Sequence, residues 1–185
     1  MTEPETRPAP DELALVQAFV NSVELPGGED ELASTGSAAA WLSAQGTQVS
    51  AVSESDRRLL VDLRERLRDL LEGHTGEDVG PDVCARVQAL LARAPLRPVV
   101  SAHGAALVSD APGALGFVGR ISAAIASASD ESWSRLKVCR SDTCRWAFYD
   151  QSKNGRGAWC SMRSCGSREK ARAYRERKRR ATTVA

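Results

Sequence analysis

Residues 139–144 read CRSDTC, fifteen residues intervene, and residues 160–165 read CSMRSC, a C-x4-C-x15-C-x4-C spacing. Each pair of thiols fits on one tight turn, and a loop of this length lets the two turns meet. Thiolate is among the donors zinc prefers, and four of them in a tetrahedron make a closed structural site. His74 and His103 lie far from the segment and do not compete. The spacing predicts one structural zinc on Cys139, Cys144, Cys160 and Cys165. Iron, an iron–sulfur cluster, two local disulfides or four unliganded thiols remain open on spacing alone. So short a segment has little apolar core of its own, so metal binding and local folding are coupled.

Between the pairs, Trp146-Ala147-Phe148-Tyr149 reads as a short aromatic strand and residues 152–157 as a turn. Ala158-Trp159 then leads back to Cys160, which predicts a hairpin between the two metal-binding turns. Its rings are expected to pack on the metal site and helix in preference to stacking on bases. Residues 166–180, GSREKARAYRERKRR, follow as a helix with no breaker after Gly166. Ala171, Ala173 and Tyr174 are its only apolar or aromatic contacts, so burial cannot hold it along its length. Cys165 anchors one end, with Tyr174 as a second anchor. Arg168, Lys170, Arg172, Arg175 and Lys178 are the candidate DNA contacts, each phosphate contact releasing a counterion. Three other readings stand beside DNA: RNA, an acidic protein surface on this or another chain, and a solvated tail.

Charge is segregated along the chain. From Lys137 to Arg180 there are 14 Lys and Arg against 4 Asp and Glu, or +10. The remaining residues hold 11 against 20, or −9, which leaves the net charge of +1. A basic end on an acidic body points to an anionic partner.

Upstream, the pattern is helical. Residues 11–20 carry apolar positions 13, 15, 16, 19 and 20, and residues 37–45 bury Trp41 and Leu42 before Gly46 stops them. Ser53, three residues before Asp56, caps the clearest helix. Leu59, Leu60, Leu63, Leu67, Leu70 and Leu71 form its core stripe, with Arg57, Arg58, Arg64, Arg66 and Arg68 on the other face. Pro81 opens a fourth helix to residue 93, on which Cys84 reads as a small buried hydrophobe. Residues 98–102 and 105–109 read as two strands about His103-Gly104, and residues 114–127 as a helix. The fold class is α+β, mainly α: a helical N-terminal domain with one β-hairpin, then a small four-cysteine zinc-binding hairpin and a basic C-terminal helix. The expected divisions are a disordered tail at 1–10, the α-rich domain at 11–130, the zinc module and helix at 133–180 and a tail at 181–185.

The stretch Trp159-Cys160-Ser161-Met162-Arg163-Ser164-Cys165-Gly166-Ser167-Arg168 resembles the signature of CGNR zinc-finger proteins. Ser167 stands where that motif carries asparagine, while the four cysteines and Arg168 match it. More weakly, Phe19-Val20-Asn21-Ser22 resembles the F-x-N-[ST] element of the ABATE domain that usually precedes this finger. The resemblance implies a zinc-containing, DNA-binding transcription regulator of a stress-related family. Its match to that element makes Asn21 a candidate ligand contact; Trp41 and Arg120 are further candidate pocket residues, with an ordinary structural role as the alternative for each of the three.

No P-loop, H-E-x-x-H or G-x-S-x-G motif occurs, and a four-cysteine zinc has no open position for substrate. The expectation is therefore no enzyme. With no apolar run of spanning length and no signal-peptide pattern, a cytoplasmic protein without membrane contact is expected. A small-molecule effector of the N-terminal domain and a homodimer are left open by the sequence.

Overall fold

The computed structural model describes residues 8–10, 13–25 and 27–183. Residues 1–7 of the expected N-terminal tail, and Asp11 and Glu12 of the first expected helix, lie outside them. The elements run α1 (Leu13–Val20), α2 (Thr35–Ala44), α3 (Glu54–Glu72), α4 (Pro81–Leu91), β1 (Arg97–Ser101), β2 (Gly104–Val108), α5 (Gly113–Ser127), α6 (Asp130–Arg135), β3 (Leu136–Val138), β4 (Ala147–Tyr149) and α7 (Ser167–Thr183). The class is α+β and mainly α, with two antiparallel two-stranded sheets, β1-β2 and β3-β4.

Local signals placed most helix ends. Ser34 and Ser53 accept from the amides of Ser37 and Asp56 at the starts of α2 and α3. Gly46, at φ 73°, takes the left-handed turn after α2 at a position other residues avoid. α6 went unread, because six residues between a helix and a strand carry too little periodicity to register.

α3 runs through the middle of the body, with Leu59, Leu60, Leu63, Leu67 and Leu71 buried against α1, α4 and α5. Phe19, Trp41 and Phe117 meet with ring centroids 5.1–6.0 Å apart and tie α1, α2 and α5 together. α5 packs close beside β2: a methyl group on Gly119 would overlap Ser109 Cβ. Cys84 departs from the expectation: it is exposed on α4, because Val87 and Leu90 set the buried face.

The polar face of α3 also differs from its sequence reading. Arg64 and Arg68 are buried at 3% and 0% exposure. Arg64 forks onto Asp30 at 2.6 and 3.0 Å. Arg68 donates to the carbonyls of Val20 and Arg145, and to Glu65. A helical wheel sorts residues by face, and it cannot see that a second layer closes over two arginines.

Over Arg64 that layer is the segment carrying Ser22 and Asp30, and over Arg68 it includes the C-terminal segment. β4 pairs with β3 in the register Leu136↔Tyr149, Lys137↔Phe148, Val138↔Ala147. The aromatic strand thus pairs upstream of Cys139, and residues 158–159 contribute only the Ala158 carbonyl, which accepts from Arg140. Leu136, Val138 and Ala147 belong to the same buried core as the leucines of α3. Asn21 closes the seam: its amide donates to Ala147 O at 2.9 Å and accepts from Ala147 N at 2.7 Å. His74 Nδ1 meets Leu136 O at 2.7 Å, and its ring stands edge-on to Trp133. Ahead of α1, Ala9 is buried and its amide donates to Gln17.

Replacing Arg68 with methionine keeps the apolar stem but removes its hydrogen bonds to the buried Val20 carbonyl and the part-buried Arg145 carbonyl. Arg68→Met should lower the unfolding free energy by about 2–4 kcal/mol in a urea titration.

Candidate metal centre

The first metal turn grows out of the β3-β4 ladder. Cys139 N donates to Trp146 O at 2.9 Å, and the amides of Cys144 and Arg145 both reach Ser141 O. Arg145 takes φ 48°, the left-handed conformation that a non-glycine residue adopts only when held there. It is held from both ends. Its carbonyl accepts from Arg68 at 2.8 Å, and its guanidinium pairs with Glu72 and Asp69 at 2.5 and 3.0 Å. The turn is thereby fixed to the C-terminal half of α3.

The second turn is a single π-helical turn, Met162–Gly166, capped by Ser161, whose hydroxyl accepts from Ser164 N. Ser167, in the place of the motif asparagine, donates to Met162 O at 2.9 Å and ties α7 back to this turn.

All four sulfurs lie within 4.8 Å of one another, with Cys144–Cys160 at 3.6 Å and Cys160–Cys165 at 3.7 Å. Zinc–sulfur bonds of about 2.3 Å in a tetrahedron put sulfurs about 3.8 Å apart, whereas a disulfide needs about 2 Å. All the cysteines are free thiols, so the local-disulfide alternative falls. Cys139 and Cys165 are buried, Cys144 and Cys160 partly so, and Phe148 and Trp159 pack around them. The thiols divide their protons unevenly. The thiols of Cys139 and Cys160 hold Cys144 down at about 4. Cys139 is pushed up by its contact with Cys144, and Cys160 by its contacts with Cys139 and Cys144. Full ionisation of the set requires a cation among the sulfurs.

A buried ion pair orders the loop between the two thiol pairs. Lys137 Nζ donates to Asp150 at 2.9 Å and to the carbonyls of Gly155 and Gly157, with both side chains 4% exposed. Asp150 accepts in turn from the amides of Ser152 and Gly157. Burial disfavours its charge, but the Lys137 ammonium and these donors outweigh it and hold Asp150 at about 2. Arg135 adds hydrogen bonds to the carbonyls of Asp150 and Ser152.

α7 leaves the metal turn as a helix that continues past Arg180 to Thr183. Among the described residues, its substantial packing neighbour is the π turn. Lys170, Arg172, Arg175 and Lys178 are all exposed, and Arg172 pairs with Glu169. Arg168 is placed differently from these: its guanidinium donates to Cys165 Sγ at 3.0 Å and takes up part of the ligand's charge. Tyr174 is 62% exposed, so it does not anchor the helix. The other candidates sit elsewhere. Asn21 has both amide atoms on Ala147, Trp41 is in the ring cluster, and Arg120 donates to Gln45 O and Thr47. Sequence reading missed Arg145 and Lys137, and Asp150, which falls on a position of the zinc-finger pattern, had no role assigned, since only the fold brings their partners near.

Residues 13–130 match the family model ABATE, described as "Putative stress-induced transcription regulator", and residues 135–178 match the CGNR zinc finger. No curated protein matches the chain. With the sulfur geometry, the finger match assigns one structural zinc to Cys139, Cys144, Cys160 and Cys165. No helix among the described residues is long and apolar enough to cross a membrane.

Metal analysis of protein purified under reducing conditions should give one zinc per chain, and Cys165→Ser should bind less than wild type. Stripping the metal should open the amides of Cys139, Cys144 and Gly166 to hydrogen exchange. Asp150→Asn should cost about 2–4 kcal/mol at neutral pH. Because the folded carboxyl titrates below its ordinary value, this contribution is present above pH about 4 and fades toward about 2. The variant should therefore lack that part of the acid limb in a pH-dependent denaturation series.

Proposed function

The chain belongs to the ABATE family, whose description is "Putative stress-induced transcription regulator", and from that premise we propose that it is a DNA-binding regulator whose zinc centre aims a basic helix. The observation that carries this reading is the placement of α7. Lys170, Arg172 and Arg175 are exposed on it, while its first turn is joined to the metal turn through Cys165, Arg168 and Ser167. A helix held at one end with exposed Lys170, Arg172 and Arg175 is shaped to lie against phosphate or enter a groove. Exposed Tyr174, among these cations, offers a ring for contact with sugar or base. In this reading Arg168 positions the metal ligand, and the contacts fall to Lys170, Arg172, Arg175 and Lys178. The helical region 13–130 serves as the sensing part, for a small molecule or a protein. A single helix reads few base pairs, so two copies on neighbouring half-sites would be the working form.

The test is a salt titration of DNA affinity with zinc-loaded protein, wild type beside Lys170→Gln/Arg175→Gln. The double variant should keep its zinc and lose about two from the slope of log affinity against log salt. An unchanged slope would remove the helix from the interface. Binding to single-stranded RNA in preference to duplex DNA would move the reading to RNA, and binding to neither would move it to an acidic protein partner.

A further inference from the structure

We propose that a cavity beside the metal centre binds a small zwitterion with an apolar body, of the class of a free amino acid carrying an apolar or aromatic side chain. The cavity, of about 380 Å3, opens between the loop after α1 and the metal module. That volume falls within the range in which small-molecule sites occur. Its walls include Glu24 and Leu25 from the loop, Trp146 from the lead into β4, and Arg163 and Arg168 on either side of Cys165.

Three features set the ligand chemistry. First, the Glu24 and Arg163 side chains face this space with no hydrogen-bond or ion-pair partner among the described residues. Most other charged groups near the centre are engaged: Arg168 on Cys165, Arg145 on Glu72 and Asp69, Lys137 on Asp150. Second, the indole of Trp146 and the side chain of Leu25 supply apolar wall, and Trp146 Nε1 is a buried donor with no partner among the described residues. Third, the wall carries both signs of charge. Zinc held by four thiolates is net negative, and Cys144, Cys160 and Cys165 line the space, so Glu24 and the metal centre together repel a simple anion. The two guanidinia repel a simple cation in the same way. A molecule bearing both charges meets each with its complement: ammonium on Glu24, carboxylate on Arg163, apolar body along Trp146 and Leu25.

The site rests on the reading that this chain senses a small molecule, and it supplies a route for that sensing. An occupant would touch the loop after α1 and, through Arg168 and Ser167, the first turn of α7. Binding would therefore be felt at the base of the helix proposed to meet DNA.

The experiment is calorimetric titration of zinc-loaded, full-length protein with L-phenylalanine and L-leucine, beside 3-phenylpropanoate and phenethylamine, which each keep one charge. At least one amino acid should bind saturably, and each single-charge analogue should bind about tenfold or more weakly than phenylalanine. Glu24→Gln should abolish the preference for phenylalanine over 3-phenylpropanoate, and Arg163→Gln the preference over phenethylamine. Both variants are checked for retained zinc, which Arg163→Gln in particular should keep because its side chain touches no ligand. No heat from either amino acid, equal binding of a single-charge analogue, or preferences untouched by both substitutions would each overturn the proposal. The readout contains no DNA. Failure here leaves the DNA-binding reading standing, and failure of DNA binding leaves this site standing.

Discussion

Four sulfur atoms within 4.8 Å of one another cannot all carry charge unless a cation sits among them. That electrostatic requirement organises the C-terminal quarter of the chain. Without the ion, the sulfurs share protons unevenly, with Cys144 ionised and Cys160 held protonated. With it, two turns from distant parts of the segment become one object, and α7 acquires a fixed base. The chain around the sulfurs prepares the requirement without replacing it. Ladder hydrogen bonds aim Cys139, Ser161 caps the turn carrying Cys165, and Arg168 eases the charge on Cys165.

The metal module is also joined to the helical body. Arg68, fully buried, holds the carbonyls of Val20 and Arg145 at once, so one side chain spans α1, α3 and the first metal turn. Asn21 adds a two-way amide clamp on Ala147, and Arg145 answers with ion pairs to Glu72 and Asp69. These contacts are polar and wholly or partly buried, so losing one partner leaves another short of a hydrogen bond where water has limited access. A displacement of the metal turn would consequently be felt along α3. The cavity next to Trp146 sits on this same seam, between the loop after α1 and the start of α7.

The sequence disclosed the parts that depend on spacing and period. The cysteine ligands, the Ser53 cap, the leucine stripe of α3 and the unbroken basic helix all follow from local rules, and each is present. What stayed hidden depends on tertiary neighbours. Arg64 and Arg68 look like solvated arginines on a helical wheel until Ser22 and Asp30 close over the first and the carbonyls of Val20 and Arg145 over the second. Asn21 looks like a ligand contact because it matches a motif position, yet its amide is spent on the backbone of a strand 126 residues away. The strand 147–149 pairs upstream because Leu136 and Val138 have the core to enter, whereas residues 158–159 lead into a metal turn. Cys84 faces outward because a helix face is set by its larger apolar residues, and a cysteine beside it carries no vote.

The central claim is that the metal turns a cationic segment into an oriented reader of DNA. Its most direct test compares the affinity of the full-length chain for one duplex, by fluorescence anisotropy, before and after zinc is stripped, at a single salt concentration. Stripping should lower the affinity at least about tenfold, and restoring zinc should reverse the loss. Equal affinity in the two states would contradict the claim, since charge alone would then explain the binding.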